Sequence, residues 1–263
     1  MKEPGDLVKH NYDRHQAMLD RFGGERTRPY LVLAGGRRKD ALALYKWNVE
    51  ISAAFLEMLA VVEVVTRNAF YEQLSSWCRQ QTHDPDWLTM QHGLPHPLNK
   101  LFESTKAGAT SLALEAKSKR DQNPNHARTQ VPISEGDVLS QVSFGKWHNL
   151  IPFDEGEHQD EVTNGYRETI WDEALHKAFF DPTTDSDEVR WLLYRLSYFR
   201  NRIAHHECVL LKPLTIPPSH ALRERLHDIF RLSSLIDQDI HILLTSYNRV
   251  SSLLKSCPIE VES

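Results

Sequence analysis

Between Asp40 and Arg79 apolar residues recur at helical spacing with no proline or glycine to interrupt them. Leu44, Trp47, Ile51, Phe55, Met58, Val62, Val65 and Ala69 follow one another at steps of three and four, which lines one side of a helix with apolar surface. Such a helix must be covered by other elements, so it dictates a fold built around it. Between Ile51 and Val65 the stretch is nearly apolar all round, which predicts a central helix. Glu57 and Glu63 interrupt that run. A carboxylate taken out of water needs a partner, and arginine is the usual one.

The rest of the chain reads as more helix. Leu, Ala, Arg and Glu dominate the periodic stretches, glycine is scarce, and runs of β-branched residues are few. The expected fold class is all-α. At 263 residues one large domain or two tightly packed parts can form, and residues 1–263 are read as one domain. Residues 1–37 hold short helical pieces broken at Gly23-Gly24 and at Ala34-Gly35-Gly36, completing an N-terminal block of about 1–80. A Pro- and His-bearing connection, 80–97, leads into middle helices over about 98–150, interrupted by an exposed, mobile loop at 120–132. Ser134 caps the second of these helices with Asp137 in the third position. Residues 153–164 read as an acidic loop, and Tyr166 to Phe180 as helix. An amphipathic helix over about 187–206 buries Val189, Leu192, Leu193, Leu196, Phe199 and Ile203. Pro213, Pro217 and Pro218 then break the chain before a last helix over about 219–254.

Several function classes lack their signs. No run of about 18 apolar residues offers a membrane span, and Met1 to Tyr12 lacks the apolar core of a signal peptide. Cys78, Cys208 and Cys257 are too few and too widely spaced for a disulfide framework or a metal knuckle, which fits a reducing cytoplasm. The net charge of −5 argues against non-specific coating of nucleic acid. It leaves room for a local basic site. The phosphate-loop, dinucleotide, zinc-protease and serine-hydrolase motifs are absent.

One segment concentrates chemistry: Tyr198-Phe199-Arg200-Asn201-Arg202-Ile203-Ala204-His205-His206-Glu207. Arginine grips phosphate and stabilises charge in a phosphoryl transition state. Histidine can take a proton from a ribose 2′-hydroxyl or give one to a leaving 5′-oxygen. Asparagine can orient either group. These are the parts for RNA cleavage without a metal. On one helix Asn201 and His205 lie about 40° apart, whereas Arg200 is about 140° from His205. A second copy, brought in by a two-fold contact, would complete the constellation. A competing reading is that the cations only complement a helix C-terminus. Metal binding by His205, His206 and Cys208 is a further alternative, disfavoured because adjacent helical histidines diverge.

The segment "RNRIAHHE" resembles the R-N-x-x-x-H signature of HEPN ribonucleases, and more closely the Abi-like proteins of the AbiF/AbiD group. "RPYLVLAGG" with "ALALYKWNVEISAAFLEMLAVVEVVTRNAF", then "VLSQVSFGKWHNLI", then "YRETIWDEALHKAFF" resemble that group's other blocks, in order, over most of residues 29–208. Three features depart from its pattern: Arg37 stands where an acidic residue is expected, Thr66 where an aliphatic one is, and the insert at 153–164 is acidic. The resemblance implies a HEPN-type helical bundle with additional peripheral helices. It implies a homodimer that cuts RNA without metal or cofactor, in abortive infection or toxin–antitoxin defence. Arg200, Asn201 and His205 match the signature, and His206 would take the histidine's place if the spacing were counted as five. Arg202 is a supporting candidate, as is Glu63, either as a holder of the signature arginine or in a core ion pair elsewhere. A neutralising antitoxin or structured small RNA is an implied partner.

Other residues have two readings. Lys146, Trp147 and Arg67 are candidates for RNA contact, with packing between helices the competing role for Trp147. Trp47-Asn48 could approach the cleft or fill the core. Lys117, Lys119, Arg120 and Arg128 could track an RNA backbone or sit in a solvated loop. The alternative function is a non-catalytic RNA-binding or dimerisation module using the same cleft.

Overall fold

The computed structural model describes residues 14–84, 86–90, 93–153, 160–210 and 218–259. These form helices and turns and contain no strand, so the fold is all-α. Met1–Tyr12 and the breaks read at Pro213 and Pro217 lie outside the described residues.

Residues 14–22 (α1) and Gly24–Leu33 (α2) precede the long helix α3, Arg38–Thr82. Its stripe from Leu44 to Val62 is buried as the spacing predicts. Burial all round is not observed, because Leu56 and Val64 are each 43% exposed. Beyond Val62 the buried positions advance by fours, through Thr66, Phe70 and Leu74, so the covered face drifts about 40° per step and leaves Val65 and Ala69 half-buried. Thr66 is fully buried, and its hydroxyl finds no hydrogen-bond partner among the described residues. A Thr66→Val protein is therefore expected to be about 1 kcal/mol more stable, since it removes an unpaired polar group at nearly constant volume. Urea unfolding measures this, and a destabilised variant would contradict the unpaired hydroxyl.

The chain divides into two compact units. One holds Met1–Val61, Tyr198–Arg231 and His241–Ser263; the other holds Val62–Ser197 and Leu232–Ile240. In the first unit, Phe55 meets Phe199 edge-to-face at 4.8 Å. Trp47 is a core residue whose indole N–H donates to the Leu253 carbonyl at 2.8 Å. Glu57 does pair with an arginine, Arg249, but both side chains are about half exposed (48% and 54%), so the pair contributes little.

The second unit holds α4 (Leu98–Asp121), α5 (Glu135–Leu139) and α6 (Glu161–Glu173). Ser134 and Asp137 form the expected capping box at the start of α5. That helix is shorter than its hydrophobic pattern suggests: it stops at Leu139, and Phe144–Leu150 forms a separate 3-10 segment. Trp147 on that segment is fully buried, with Phe102 at 5.4 Å and Phe70 at 6.0 Å. The base-stacking role read for Trp147 is thus corrected to packing, because no face of its ring reaches solvent. Helix α6 starts earlier than expected because Asp160 accepts from the Thr163 N–H at 3.2 Å, and a 3-10 turn, Leu175–Ala178, follows it. The loop after α4 is exposed, as read, yet bound to its surroundings. Lys117 pairs with Asp121, the Arg120 guanidinium donates to the Val131 carbonyl, and Arg128 makes a two-pronged pair with Asp137. The arginine holds the Asp137 carboxyl far below the usual range. These cations already have partners, which favours the structural reading of the loop.

His148 lies half-buried with its ring edge-to-face on Tyr194 at 5.7 Å. Burial first, and the Arg190 charge next, push its pKa below the ordinary histidine value. A depressed folded pKa means that the neutral ring stabilises the fold fully above the unfolded value of about 6.5. That contribution is lost as pH falls toward the folded value. Stability in urea is expected to drop from pH 8 to pH 5 less steeply in His148→Gln than in the parent; equal slopes would remove His148 as a cause.

Helix α7 (Ser186–Ala204) buries all six residues expected of it. The single C-terminal helix expected after it is instead three: α8 (Pro218–Ile236), α9 (Gln238–Ser246) and α10 (Val250–Lys255). Two side chains make the breaks. The Asp237 carboxylate accepts from the Asp239 and Ile240 N–H groups at 2.7 and 3.2 Å, and the Asn248 side-chain oxygen accepts from Val250 N–H at 3.0 Å. Each offers the backbone a local bond that competes with a continuous helix.

Candidate functional site

The chemistry-bearing segment lies in the first unit, at the end of α7 and in the turn after it. Ala204 is the last helical residue. The His205 N–H still donates to the Asn201 carbonyl at 2.9 Å, so the two residues keep helical register. The His206 N–H then donates to the Ile203 carbonyl at 2.9 Å and the Glu207 N–H to the Arg202 carbonyl at 3.0 Å. His206 itself sits in the left-handed region at φ 56°. This is a Schellman closure with a histidine where glycine is usual. It separates the two candidate histidines: His205 continues the helix face, and His206 makes the turn.

Asn201 and His205 are exposed, Arg200 is half-buried, and Phe199 and Ile203 beside them are buried. The packed face thus anchors the helix end while its polar face stays open. The turn is fastened from three sides. Arg26 on α2 donates from Nη1 to the carbonyls of His205 at 3.2 Å and His206 at 2.8 Å. A guanidinium there satisfies orphan carbonyls and complements the negative end of the helix dipole. Arg202 donates to the Cys208 carbonyl at 2.6 Å and pairs with Glu207 at 3.3 Å, so it braces the turn. Asn48 on α3 donates from Nδ2 to the Glu207 carbonyl at 3.2 Å and accepts from the Val209 N–H at 2.8 Å. Asn48 is only 3% exposed, so its amide is spent on this loop.

An open cleft of about 640 Å³ lies alongside, lined by Gly23, Gly24, Arg26, Pro29, His206 and Cys208, among others. Burial raises the Cys208 thiol's pKa and keeps it protonated. Among the described residues no three His, Cys, Asp or Glu side chains are grouped as metal ligands would be. Glu63, Arg67, Lys146 and Trp147 belong to the second unit; Lys146 is exposed, and Glu63 and Arg67 are half-buried.

Sequence reasoning missed Arg26 altogether and undervalued Asn48. For Asn48 a signal existed, an amide on an otherwise apolar helix face. For Arg26 none did, because nothing local distinguishes an arginine that reaches a helix end 179 residues away.

A family model described as "Abi-like protein" matches residues 7–210. The chain belongs to the Abi-like family. The match spans α1 to the turn after α7, and so contains Arg26, Asn48 and the Arg200–His205 segment. Membership suggests a role in abortive-infection defence. Comparison with the curated proteins and with the solved structures returns no match. Among the described residues, no helix of this Abi-like protein is long and apolar enough to cross a membrane.

Proposed function

We propose that this Abi-like protein is an endoribonuclease of abortive-infection or toxin–antitoxin defence that cuts RNA without a metal ion. The observation that carries the reading is the placement of Asn201 and His205 on one exposed face, at a helix end whose turn is held by Arg26, Arg202 and Asn48. A histidine on a backbone held in this way suits proton transfer.

In the proposed reaction a ribose 2′-oxygen attacks the adjacent phosphorus as His205 takes its proton. The phosphorus–5′-oxygen bond breaks, and the departing 5′-oxygen takes up a proton. The products are a 2′,3′-cyclic phosphate and a 5′-hydroxyl. Arg200 stabilises the charge that builds on the non-bridging oxygens, and Asn201 orients the reacting groups. One base and one acid are needed, and each chain supplies one His205. A homodimer with two-fold symmetry would place a second His205 and Arg200 at the same phosphate. An enzyme of this kind endangers its own cell, so a neutralising antitoxin or structured small RNA belongs to the proposal.

The test is to map RNA ends in cells expressing the wild type and His205→Ala. New cyclic-phosphate and 5′-hydroxyl ends are expected with the wild type alone, and purified protein should cut equally in strong chelator. If both proteins yield the same ends, or neither yields any, the nuclease reading fails. RNA binding retained in that case would support the non-catalytic module.

A further inference from the structure

We infer that Tyr198 is a stacking platform for an unpaired nucleobase next to the scissile phosphate, which makes single-stranded RNA the substrate class. The inference rests on the ribonuclease reading above for the position of the phosphate. Tyr198 stands three residues before Asn201 and seven before His205. Around the helix these positions are about 60° and 20° from it. All three side chains are exposed, Tyr198 at 60%. Its neighbour Phe199 is buried, so the helix here turns one ring inward and leaves the next in water. Along the axis Tyr198 and His205 are about 10 Å apart, within reach of a neighbouring nucleotide.

The chemistry of the face suits a nucleobase beside the proposed phosphate. Every exposed large apolar residue of α7 is aromatic, namely Trp191, Tyr194 and Tyr198, and none is aliphatic. A nucleobase needs a flat π-face, and its phosphate needs cations. Arg200 and His205 supply positive or protonatable groups within the same end of α7 and its turn. Stacking on tyrosine tolerates any base, so the protein should discriminate by strandedness more than by sequence. A base inside a duplex is already stacked and does not offer its face.

Binding tests this separately from cleavage. The full chain carrying His205→Ala, which should bind RNA without cutting it, is titrated with a fluorescent single-stranded oligoribonucleotide. Adding Tyr198→Ala or Tyr198→Leu is expected to weaken binding roughly tenfold, while Tyr198→Phe stays within about twofold because the ring remains. A matched duplex should bind markedly less well than the single strand. An abasic nucleotide at the stacked position should erase the difference between Tyr198 and Ala.

Tyr198→Leu binding like the parent would overturn the inference, as would a duplex bound as tightly as the single strand. A Tyr198→Ala protein that changes mass in light scattering would also overturn it, assigning the face to a second copy of the chain. If cleavage is seen and the Tyr198 variants bind equally, only this inference falls. If no cleavage is seen but binding depends on the Tyr198 ring, the nuclease reading falls and the scissile phosphate with it, and what stands is the stacking of single-stranded RNA on Tyr198.

Discussion

An Asn48→Ala protein is expected to lose about 3 kcal/mol of folding stability, a large share of what a domain of ordinary stability has. Asn48 is almost fully buried and makes two bonds to backbone 159 and 161 residues away. Truncation leaves the Val209 N–H, on a residue only 7% exposed, without its acceptor. An orphaned buried donor costs about 1–3 kcal/mol, and the vacated volume adds to that. Asn48→Asp keeps an acceptor for Val209 but sets a second oxygen against the Glu207 carbonyl, so it should also destabilise. The measurement is the urea midpoint at unchanged slope, together with hydrogen exchange at Val209. Exchange there should rise in Asn48→Ala ahead of global unfolding. A loss below about 1 kcal/mol would mean that water replaces the amide and the turn does not depend on it.

The two histidines at the end of α7 are expected to respond oppositely to substitution. His205→Ala should lower RNA cleavage by about 10²–10⁴-fold, the usual contribution of a positioned acid or base. Its stability should change by no more than about 0.5 kcal/mol, because the side chain is exposed. His206→Gly should keep cleavage near the wild-type rate and gain up to about 1 kcal/mol in stability. At φ 56° a histidine bears the left-handed strain that glycine avoids, partly offset by glycine's greater freedom when unfolded. Initial rates on a single-stranded substrate and thermal unfolding of both variants decide the matter. Cleavage that survives His205→Ala but is lost in His206→Gly would reassign the base to His206 and replace the four-residue spacing with five.

Much of this molecule follows from local rules. The apolar stripe of α3, the buried face of α7 and the Ser134–Asp137 cap are set by residues three or four apart, and such patterns are visible in any one stretch of chain. The placement of Asn201 and His205 on one exposed face is of the same kind. Where local signals competed, the reading was coarser. The apolar period continues across Asp237 and Asn248, yet their side chains stop and restart the helix by bonding nearby N–H groups. The aromatic Trp147 looked equally suited to a base or a core until its neighbours Phe70 and Phe102 were known.

The sequence by itself determined the helical class, the main buried faces and the exposed, helix-register placement of Asn201 and His205 at the end of α7. Only the tertiary structure decided what holds that end in place. Arg26 reaches carbonyls 179 and 180 residues away and Asn48 reaches a loop 159 to 161 residues away. Helical periodicity repeats every 3.6 residues and carries no information over such separations. It is these long-range hydrogen bonds that turn a frayed helix end with two histidines into a fixed turn presenting one of them.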